Sequence, residues 1–315
     1  MAPSILIAGA TGNTGRGVVE TLSKLVVEAD SVISGHRIIA LTRSSNGDVA
    51  QKLAKLPGVE VIEKNWIELT PDWLRENEVV RAFVASQPHP SQFTEESTFL
   101  IAALNAGVEY LVRISTTAPN VRPDSNAFYP RTHWALETLL STPEFERLQW
   151  TSLQPNSFSQ LYLMSSAELI SNYRKTGKQD TLRILGRADA PIGIIDPFEV
   201  GILAAVLLAQ KDPSPHNKAK YVINGPEDVT GNQVVKLVEQ YIGTKVENVV
   251  FNDMSFVEAW AAASPFPKNI MLSIKYSLEP MANGLCTAAT TSRQVLELAA
   301  PKRTPADVLR DMLEG

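Results

Sequence analysis

A glycine-rich turn close to the N-terminus constrains the fold of this chain more than any other feature. A short apolar run, Ile5 to Ala8, leads directly into Gly-Ala-Thr-Gly-Asn-Thr-Gly at residues 9–15, and apolar side chains then recur with helical spacing. Glycines let a backbone approach an anion closely, and the unpaired N–H groups at a helix N-terminus face it. This pattern predicts a dinucleotide pyrophosphate site. The residues predicted to form it are Gly9, Thr11, Gly12, Asn13, Thr14 and Gly15.

The first half of the chain alternates predicted strands with predicted helices. Strands are expected at residues 5–8, 37–41, 59–63, 79–85, 110–114 and 150–153. Helical patterns lie near residues 15–28, 48–56, 94–106 and 130–141. Thr94 is expected to cap the third of these helices and Gly107 to end it. Repeated strand–helix units predict an α/β fold with a doubly wound parallel sheet and right-handed crossovers.

Capping residues mark helix boundaries in the second half. Asp196 is a predicted N-cap, Pro197 suits the first helical position, and Glu199 is expected to reach back to the cap. Residues 221–223 form a predicted short strand, and Thr230 begins a capping box before another amphipathic helix. The second half therefore adds helices and at least one strand to the α/β pattern.

Composition excludes several classes of function. The formal net charge is −5 and the pI is near 5.5, whereas nucleic-acid binding calls for a basic surface. Cys286 is the single cysteine, and the four histidines show no metal-ligand spacing. The apolar stretch at 202–209 is too short to span a bilayer, and the first strand leaves no room for a signal peptide. We expect a cytoplasmic protein with no metal, no membrane association and no direct nucleic-acid partner.

The Gly-x-x-Gly-x-x-Gly spacing resembles that of the short-chain dehydrogenase/reductase superfamily, and this form of it is typical of the atypical NmrA-like branch. The resemblance covers essentially the whole chain and is strongest at residues 9–15. It implies a Rossmann domain at residues 1–155 and a smaller C-terminal α/β substrate lobe at 156–315, with a substrate cleft between them. Segments such as 196–225 are expected to pack back on the Rossmann sheet.

The end of the second strand selects the nucleotide in a Rossmann fold. An acid there binds the ribose 2′-hydroxyl of NAD, whereas a cation pairs with the 2′-phosphate of NADP. Residues 40–45 contain no acid, and Arg43 and Ser44 offer donors suited to phosphate. We therefore predict NADP(H). The resemblance also places Asn65 near the adenine, and Ser86 and Gln87 near the ribose and nicotinamide.

Candidate catalytic residues follow the fifth strand. Classical members of the superfamily use Ser with Tyr-x-x-x-Lys, and this chain has Ser115 with Tyr129-x-x-x-His133. Histidine in the first turns of a helix is expected to be neutral near pH 7, yet it can still line the cofactor site or exchange a proton. Pro130 suits a first helical position, which would place Tyr129 at or before the cap. The catalytic role of Tyr129 stays open at this point.

A loop after the sixth strand completes the predicted site. Residues 151–158 resemble the family's Thr-x-Leu-Arg-Pro-x-x-Phe, with Gln154 in place of the arginine. The resemblance implies that Pro155, Asn156 and Phe158 cover the nicotinamide and open the substrate cleft. Apolar and aromatic residues of the second half are expected to line an apolar pocket, with these candidates: Phe158, Leu161, Tyr162, Met164, Phe198, Trp260 and Phe266.

The leading hypothesis is an NADP(H)-dependent NmrA-like oxidoreductase acting on a small, largely apolar carbonyl, enone or quinone-like substrate, with secondary metabolism as one setting. One alternative is a non-catalytic NADP(H)-binding redox sensor or transcriptional co-regulator that acts through a protein partner. Another is an isomerase or dehydratase on the same fold, because function resides in the site rather than the fold. Substrate, reaction direction and the choice between monomer and homodimer are not predicted.

Overall fold

The computed structural model describes residues 2–314 and has an α/β architecture. Its strands are β1 (Ser4–Ala8), β2 (Arg37–Thr42), β3 (Val59–Glu63), β4 (Val79–Val84), β5 (Tyr110–Ile114), β6 (Gln149–Pro155), β7 (Leu182–Ile184), β8 (Ala219–Ile223) and β9 (Val249–Phe251). All the strands predicted from the sequence are present, and their ends lie within two residues of the predicted ones.

Helices α1 to α8 lie between the strands along the chain, and α9 to α13 follow the last strand. They are α1 (Asn13–Leu25), α2 (Asp48–Leu53), α3 (Pro71–Glu76), α4 (Gln92–Ala106), α5 (Phe128–Leu140), α6 (Ser159–Thr176), α7 (Pro197–Leu208), α8 (Gly231–Ile242), α9 (Ser255–Ala263), α10 (Lys268–Leu272), α11 (Glu279–Ala282), α12 (Arg293–Ala299) and α13 (Pro305–Glu314). None of these helices is long and apolar enough to cross a membrane.

The large sheet has seven strands in the order β3-β2-β1-β4-β5-β6-β8, and every adjacent pair is parallel. The predicted Rossmann-type doubly wound sheet is therefore confirmed. Strand order reverses between β1 and β4. In open α/β sheets a crevice forms at this point, outside the carboxyl ends of the strands, and ligands bind there.

Apolar cores cover both faces of this sheet. One face packs against α1 and α7, and the other against α3, α4 and α5. Gly17 on α1 and Gly201 on α7 allow these two helices to touch, because a Cβ at either glycine would overlap the backbone of the other helix. The helix that follows the glycine turn is thus held by α7, and β8 extends the same sheet at its edge. Segment 196–225 lies in these layers, while the division at residue 155 stays a prediction.

A smaller unit lies beside the carboxyl ends of the large sheet. The β7–β9 pair is parallel and packs with α6, α8 and α13 around a separate core. Helices α9 and α10 pack against the start of α5 through a small cluster that includes Phe128, Val257 and Ile274. This contact places the second unit next to the residues that begin α5.

Two helix starts differ from the predicted ones. Helix α4 begins at Gln92 after Ser91, so Thr94 is not its cap, whereas Gly107 ends the helix with φ +85° as predicted. Helix α5 begins at Phe128, and the expectation that Tyr129 precedes the helix was wrong. Pro130 is the third helical residue. The N–H groups of a first turn have no intrahelical partner, so proline is tolerated there.

The caps of the second half are largely as predicted. Asp196 Oδ1 accepts the Phe198 N–H at 2.9 Å, and Thr230 closes a reciprocal capping box at the start of α8. The expectation for Glu199 was wrong. Its carboxylate accepts the backbone N–H groups of Lys302 and Arg303 instead, at 2.7 and 3.2 Å, and so ties the chain before α13 to α7.

Candidate functional site

The glycine turn forms the floor of an open cleft. Gly9 has φ +90°, in the region that favours glycine, and its carbonyl accepts the Gly12 N–H at 3.0 Å. A Cβ on Gly15 would overlap the Gly9 carbonyl, so this turn requires glycine there. Helix α1 starts without a side-chain cap and without an acid in its first turn. Its N-terminal N–H groups are therefore left for an anion.

The cleft above the turn, called here the nucleotide cleft, has a volume of about 460 Å³. Most of the residues predicted to bind the cofactor line this cleft. Those that line it are Gly9, Thr11, Gly12, Asn13, Thr14, Gly15, Arg43, Asn65, Ser86, Gln87 and Phe158. Ser44 is not among the lining residues, and its backbone is held by the Thr42 hydroxyl.

Arg43 is exposed at the end of β2 and, within residues 2–314, makes no ion pair or hydrogen bond. An acid nevertheless lies close by in the fold. Glu63 ends the neighbouring strand and accepts both the N–H and the hydroxyl of Ser45, at 2.8 and 2.7 Å. These hydrogen bonds lower the pKa of Glu63. The carboxylate therefore holds the loop after Arg43 and leaves the guanidinium without a partner.

Two further predicted cofactor contacts have local partners. Asn65 accepts the Ile67 N–H at 3.3 Å and donates to Glu68 at 3.2 Å, so it shapes the turn after β3. Gln87 Oε1 lies 3.0 Å from His89 Nε2. Both side chains line the nucleotide cleft, where a nucleotide would compete with these contacts.

A second cavity, of about 270 Å³, adjoins the nucleotide cleft and is called here the apolar cavity. The two share Ser86, Pro88 and Phe158, so these residues form the boundary between them. No Asp, Glu, Lys or Arg lines the apolar cavity. Its walls are mainly apolar and aromatic: Ile114, Tyr129, Phe158, Leu161, Leu185, Met254, Phe256, Trp260, Ile274, Leu278 and Met281.

The three predicted catalytic residues meet in the apolar cavity. Tyr129 and His133 are one turn apart on α5, with ring centroids 6.3 Å apart and nearly perpendicular planes. The Tyr129 hydroxyl makes no hydrogen bond within the described chain, and the buried Ser115 hydroxyl has no partner of good geometry there. The hydroxyls of Tyr129 and Ser115 thus face a mainly apolar cavity, whose walls also include polar side chains such as Thr116, Thr117 and Ser277. The Ser115 hydroxyl also lies near Glu137 and helps to lower the pKa of that carboxyl.

The loop after β6 holds the two units together. Asn156 Nδ2 donates to Asn224 Oδ1 at 2.9 Å and to the carbonyls of Gly193 and Cys286 at 3.1 and 2.8 Å. Its Oδ1 accepts the Ser157 N–H at 2.8 Å. Every polar atom of the Asn156 side chain therefore already has a protein partner. Pro155 and Asn156 line the apolar cavity rather than the nucleotide cleft.

Sequence reasoning missed a buried charged group behind His133. Arg113, on β5, is fully buried, and its Nε donates to Glu96 on α4 at 2.6 Å. Its Nη1 donates to Ser152 at 3.1 Å and its Nη2 to His133 Nδ1 at 2.9 Å. The only signal in the sequence is a charged residue within an apolar strand, which does not identify the partners.

A second buried carboxylate lies on the other side of Arg113. Glu137 accepts the Ser152 hydroxyl at 2.8 Å and pairs with Lys220 at 3.1 Å. Burial acts to raise the pKa of Glu137, but the Arg113 charge, the Ser152 hydroxyl and Lys220 outweigh it and lower the pKa. Both carboxylates near Arg113 are thus already occupied by protein donors.

Burial, and secondarily the Arg113 cation, hold the pKa of His133 well below its ordinary value. The imidazole is therefore neutral near pH 7. The sequence-based prediction of a neutral histidine relied on the helix dipole, whereas the structure assigns the larger effects to burial and to a neighbouring cation. Among residues 2–314, no group of three His, Cys, Asp or Glu side chains is placed to hold a metal ion.

Comparisons with known proteins extend over most of the chain. Residues 1–284 match the model of the NmrA-like family. The isoflavone reductase homolog P3 of Arabidopsis thaliana is 25% identical over 289 residues, which cover 87% of this chain and 86% of the relative.

Two solved structures share the fold at low sequence identity. The NADPH-dependent quinone oxidoreductase QOR2 of Escherichia coli, complexed with NADPH, has a TM-score of 0.73 at 20% identity, covering 98% of this chain and 99% of its own. NmrA, a negative transcriptional regulator, has a TM-score of 0.70 at 13% identity, covering 100% and 96%. The glycine turn, the sheet order and the family match over residues 1–284 lead to one conclusion: this chain belongs to the NmrA-like family.

Proposed function

We propose that this protein is an NADPH-dependent reductase of a neutral, largely apolar carbonyl, enone or quinone-like compound. One observation carries the proposal. The nucleotide cleft adjoins the apolar cavity along Ser86, Pro88 and Phe158, and Tyr129 and His133 line that cavity. A dinucleotide whose pyrophosphate lies on α1 would extend its nicotinamide toward this junction.

The choice of NADPH rests on the end of β2. Arg43 lines the nucleotide cleft without a protein partner, and a planar guanidinium suits a 2′-phosphate. The nearby Glu63 is engaged by Ser45 and does not pair with Arg43. The comparisons support the same choice, since QOR2 was crystallised with NADPH.

The substrate class follows from the walls of the apolar cavity. No charged side chain lines it, so a carboxylate or phosphate on the substrate would be desolvated without a counter-charge. Aromatic walls such as Phe158, Phe256 and Trp260 favour a flat ring system. A neutral compound that places a carbonyl oxygen near Tyr129 fits these constraints.

The reaction divides between cofactor and protein. When bound, NADPH would supply the hydride for an electrophilic carbon of the substrate. Tyr129 can give its phenolic proton to the oxygen that gains charge, and the Ser115 hydroxyl can donate a hydrogen bond to the same oxygen. The apolar walls exclude water, which strengthens these hydrogen bonds.

Calorimetric titration with NADPH and NADH, followed by turnover assays with neutral quinones and enones, tests the proposal. NADPH is expected to bind more tightly than NADH and to be oxidised in the presence of at least one neutral acceptor. In Arg43→Ala, NADPH affinity should fall about 10–100-fold, from the loss of roughly 1.5–3 kcal/mol of charge-assisted hydrogen bonding, while NADH affinity stays unchanged.

Two results would contradict the proposal. Failure to bind NADPH would remove its basis. Tight NADPH binding with no oxidation by any acceptor would favour the redox sensor or co-regulator, a role for which the structural likeness to NmrA provides a precedent of fold alone.

A further inference from the structure

The contact between Arg113 and His133 determines which imidazole nitrogen carries the proton. Arg113 Nη2 lies 2.9 Å from His133 Nδ1. A guanidinium has only donors, so Nδ1 must be the acceptor and cannot carry a proton. The neutral imidazole therefore carries its proton on Nε2, a conclusion that depends only on the chemistry of arginine.

A second proton on His133 would have to sit on Nδ1, directly against the guanidinium. Burial and the Arg113 cation both oppose it, as the lowered pKa indicates. Glu96 and Glu137 carry the opposite charge, but they contact Arg113 and Lys220 and make no hydrogen bond to the imidazole. The ionisable groups around the ring are Arg113 on β5, Glu96 on α4, and Tyr129 and Glu137 on α5.

The hydrogen bonds of Ser86 and Gln92 leave the Nε2 atom of His133 without a protein acceptor. Ser86 donates to Glu96, so its oxygen is free to accept, and Gln92 Nε2 donates to it at 2.9 Å. The Gln92 nitrogen, itself a donor, then lies 3.4 Å from His133 Nε2. Within residues 2–314, no oxygen accepts the Nε2 proton. His133 lines the apolar cavity, and Gln92 lies between its Nε2 atom and Ser86, which lines both cavities.

We infer that His133 is a permanently neutral hydrogen-bond donor rather than a proton shuttle, and that Arg113 is the positioning residue that sets its tautomer. The Nε2–H group donates to a ligand oxygen at the junction of the two cavities and keeps its proton throughout. The identity of that oxygen as the substrate carbonyl rests on the proposed function. In that reaction, Tyr129 alone transfers a proton, and His133 stabilises the developing negative charge.

Nitrogen-15 NMR of the ligand-free protein tests the tautomer directly. The His133 signals can be assigned by their loss in His133→Gln. We expect the wild-type protein to show unprotonated Nδ1 and protonated Nε2, unchanged between about pH 5 and pH 8, where an ordinary histidine titrates. A proton on Nδ1, or a titration of His133 in this range, would overturn the inference.

A matched pair of variants tests the role of Arg113. Arg113→Lys keeps a positive charge near Glu96 but removes the planar group that also reaches His133, so His133 should exchange between tautomers. Arg81→Lys is the control, since Arg81 is a buried arginine on β4 that donates to the carbonyls of Leu208 and Gln210. It should leave the His133 signals unchanged. Unchanged signals in Arg113→Lys would overturn the inference, and if that variant does not fold, the wild-type measurement decides.

The ligand half of the inference has a separate measurement. Adding NADP⁺ and a neutral quinone should shift the Nε2 proton signal of His133, and no shift would overturn the assignment of a ligand oxygen. The ligand-free spectrum needs no cofactor. A protein with the expected tautomer that does not oxidise NADPH would therefore contradict the proposed function and leave the assignment of Arg113 intact.

Discussion

Tyr129 lies in the first turn of α5, and its ring lines the apolar cavity. We expect Tyr129→Phe to lower kcat about 10²–10⁴-fold, the usual contribution of a positioned proton donor, with little change in NADPH affinity. Steady-state rates and NADPH titration measure both quantities. Tyr241→Phe on α8, remote from the cavity, is the matched control and should behave as wild type. An unchanged kcat in Tyr129→Phe would remove the proton-donor role.

His133 predicts how stability depends on pH. Its pKa is lowered in the folded protein, while the unfolded chain has the ordinary value near 6.5, so the unfolded state takes up a proton first as pH falls. The contribution of His133 to the free energy of unfolding is thus fully present above about pH 6.5 and is lost as the pH falls below that value. Between about pH 7.5 and pH 5.5 this amounts to roughly 1 kcal/mol.

Urea denaturation at these two pH values tests the linkage. His133→Asn has no group that titrates there, and its side-chain oxygen can still accept from Arg113. The variant should therefore lose roughly 1 kcal/mol less than wild type on acidification, whatever its stability at the higher pH. An equal loss in both proteins would contradict a lowered pKa.

Some residues of the site were predicted from the sequence, and others were not. The motif positions Ser115, Tyr129 and His133 were predicted from their resemblance to the superfamily's Ser and Tyr-x-x-x-Lys pattern, and they meet in one cavity. Arg113 and Glu96 were not found, because their contact depends on how β5 packs against α4. A charged residue within an apolar strand indicates that a partner lies nearby in the fold. The packing of elements distant in the sequence determines which residue that partner is.

At the scale of elements, the contact between α1 and α7 holds the pyrophosphate helix in place. A Cβ at Gly201 would overlap the Thr14 carbonyl, so Gly201→Ala must displace one helix. We expect a loss of about 1–3 kcal/mol in the free energy of unfolding, together with weaker NADPH binding. Gly47→Ala, whose Cβ would lie 3.7 Å from the Ser44 carbonyl, is the control and should cost little. Wild-type NADPH affinity in Gly201→Ala would contradict this role of α7.

Strands and helices were predictable to different degrees. Buried parallel strands are short apolar runs between turns, and the six strands predicted in the first half are present. Helix starts were less certain, because several polar residues near a start can each act as a cap. Ser91 rather than Thr94 precedes α4, and Pro130 lies inside the first turn of α5 rather than at its first residue.

At the scale of the whole molecule, the site depends on a meeting of two units. The first half supplies the nucleotide cleft and the two hydroxyls, while α9, α11 and their neighbours supply Met254, Phe256, Trp260 and Met281 as walls of the apolar cavity. Sequence reasoning named Trp260 as a pocket residue but missed the others, since an apolar side chain in the second half is equally consistent with an ordinary core. Only the packing of the second unit beside the carboxyl ends of the large sheet shows which apolar side chains line the cavity and which belong to the core.

The uncharged lining of the apolar cavity beside the nucleotide cleft determines the proposed substrate class, and substrate charge tests it most directly. The rate of NADPH oxidation should be compared for a neutral naphthoquinone and for its sulfonate, which has a similar ring but a fixed negative charge. Leaving that charge in an apolar cavity without a partner costs several kcal/mol, so kcat/KM for the sulfonate should be at least about 100-fold lower. Equal rates for the two quinones, or no oxidation of NADPH by the neutral one, would contradict the account.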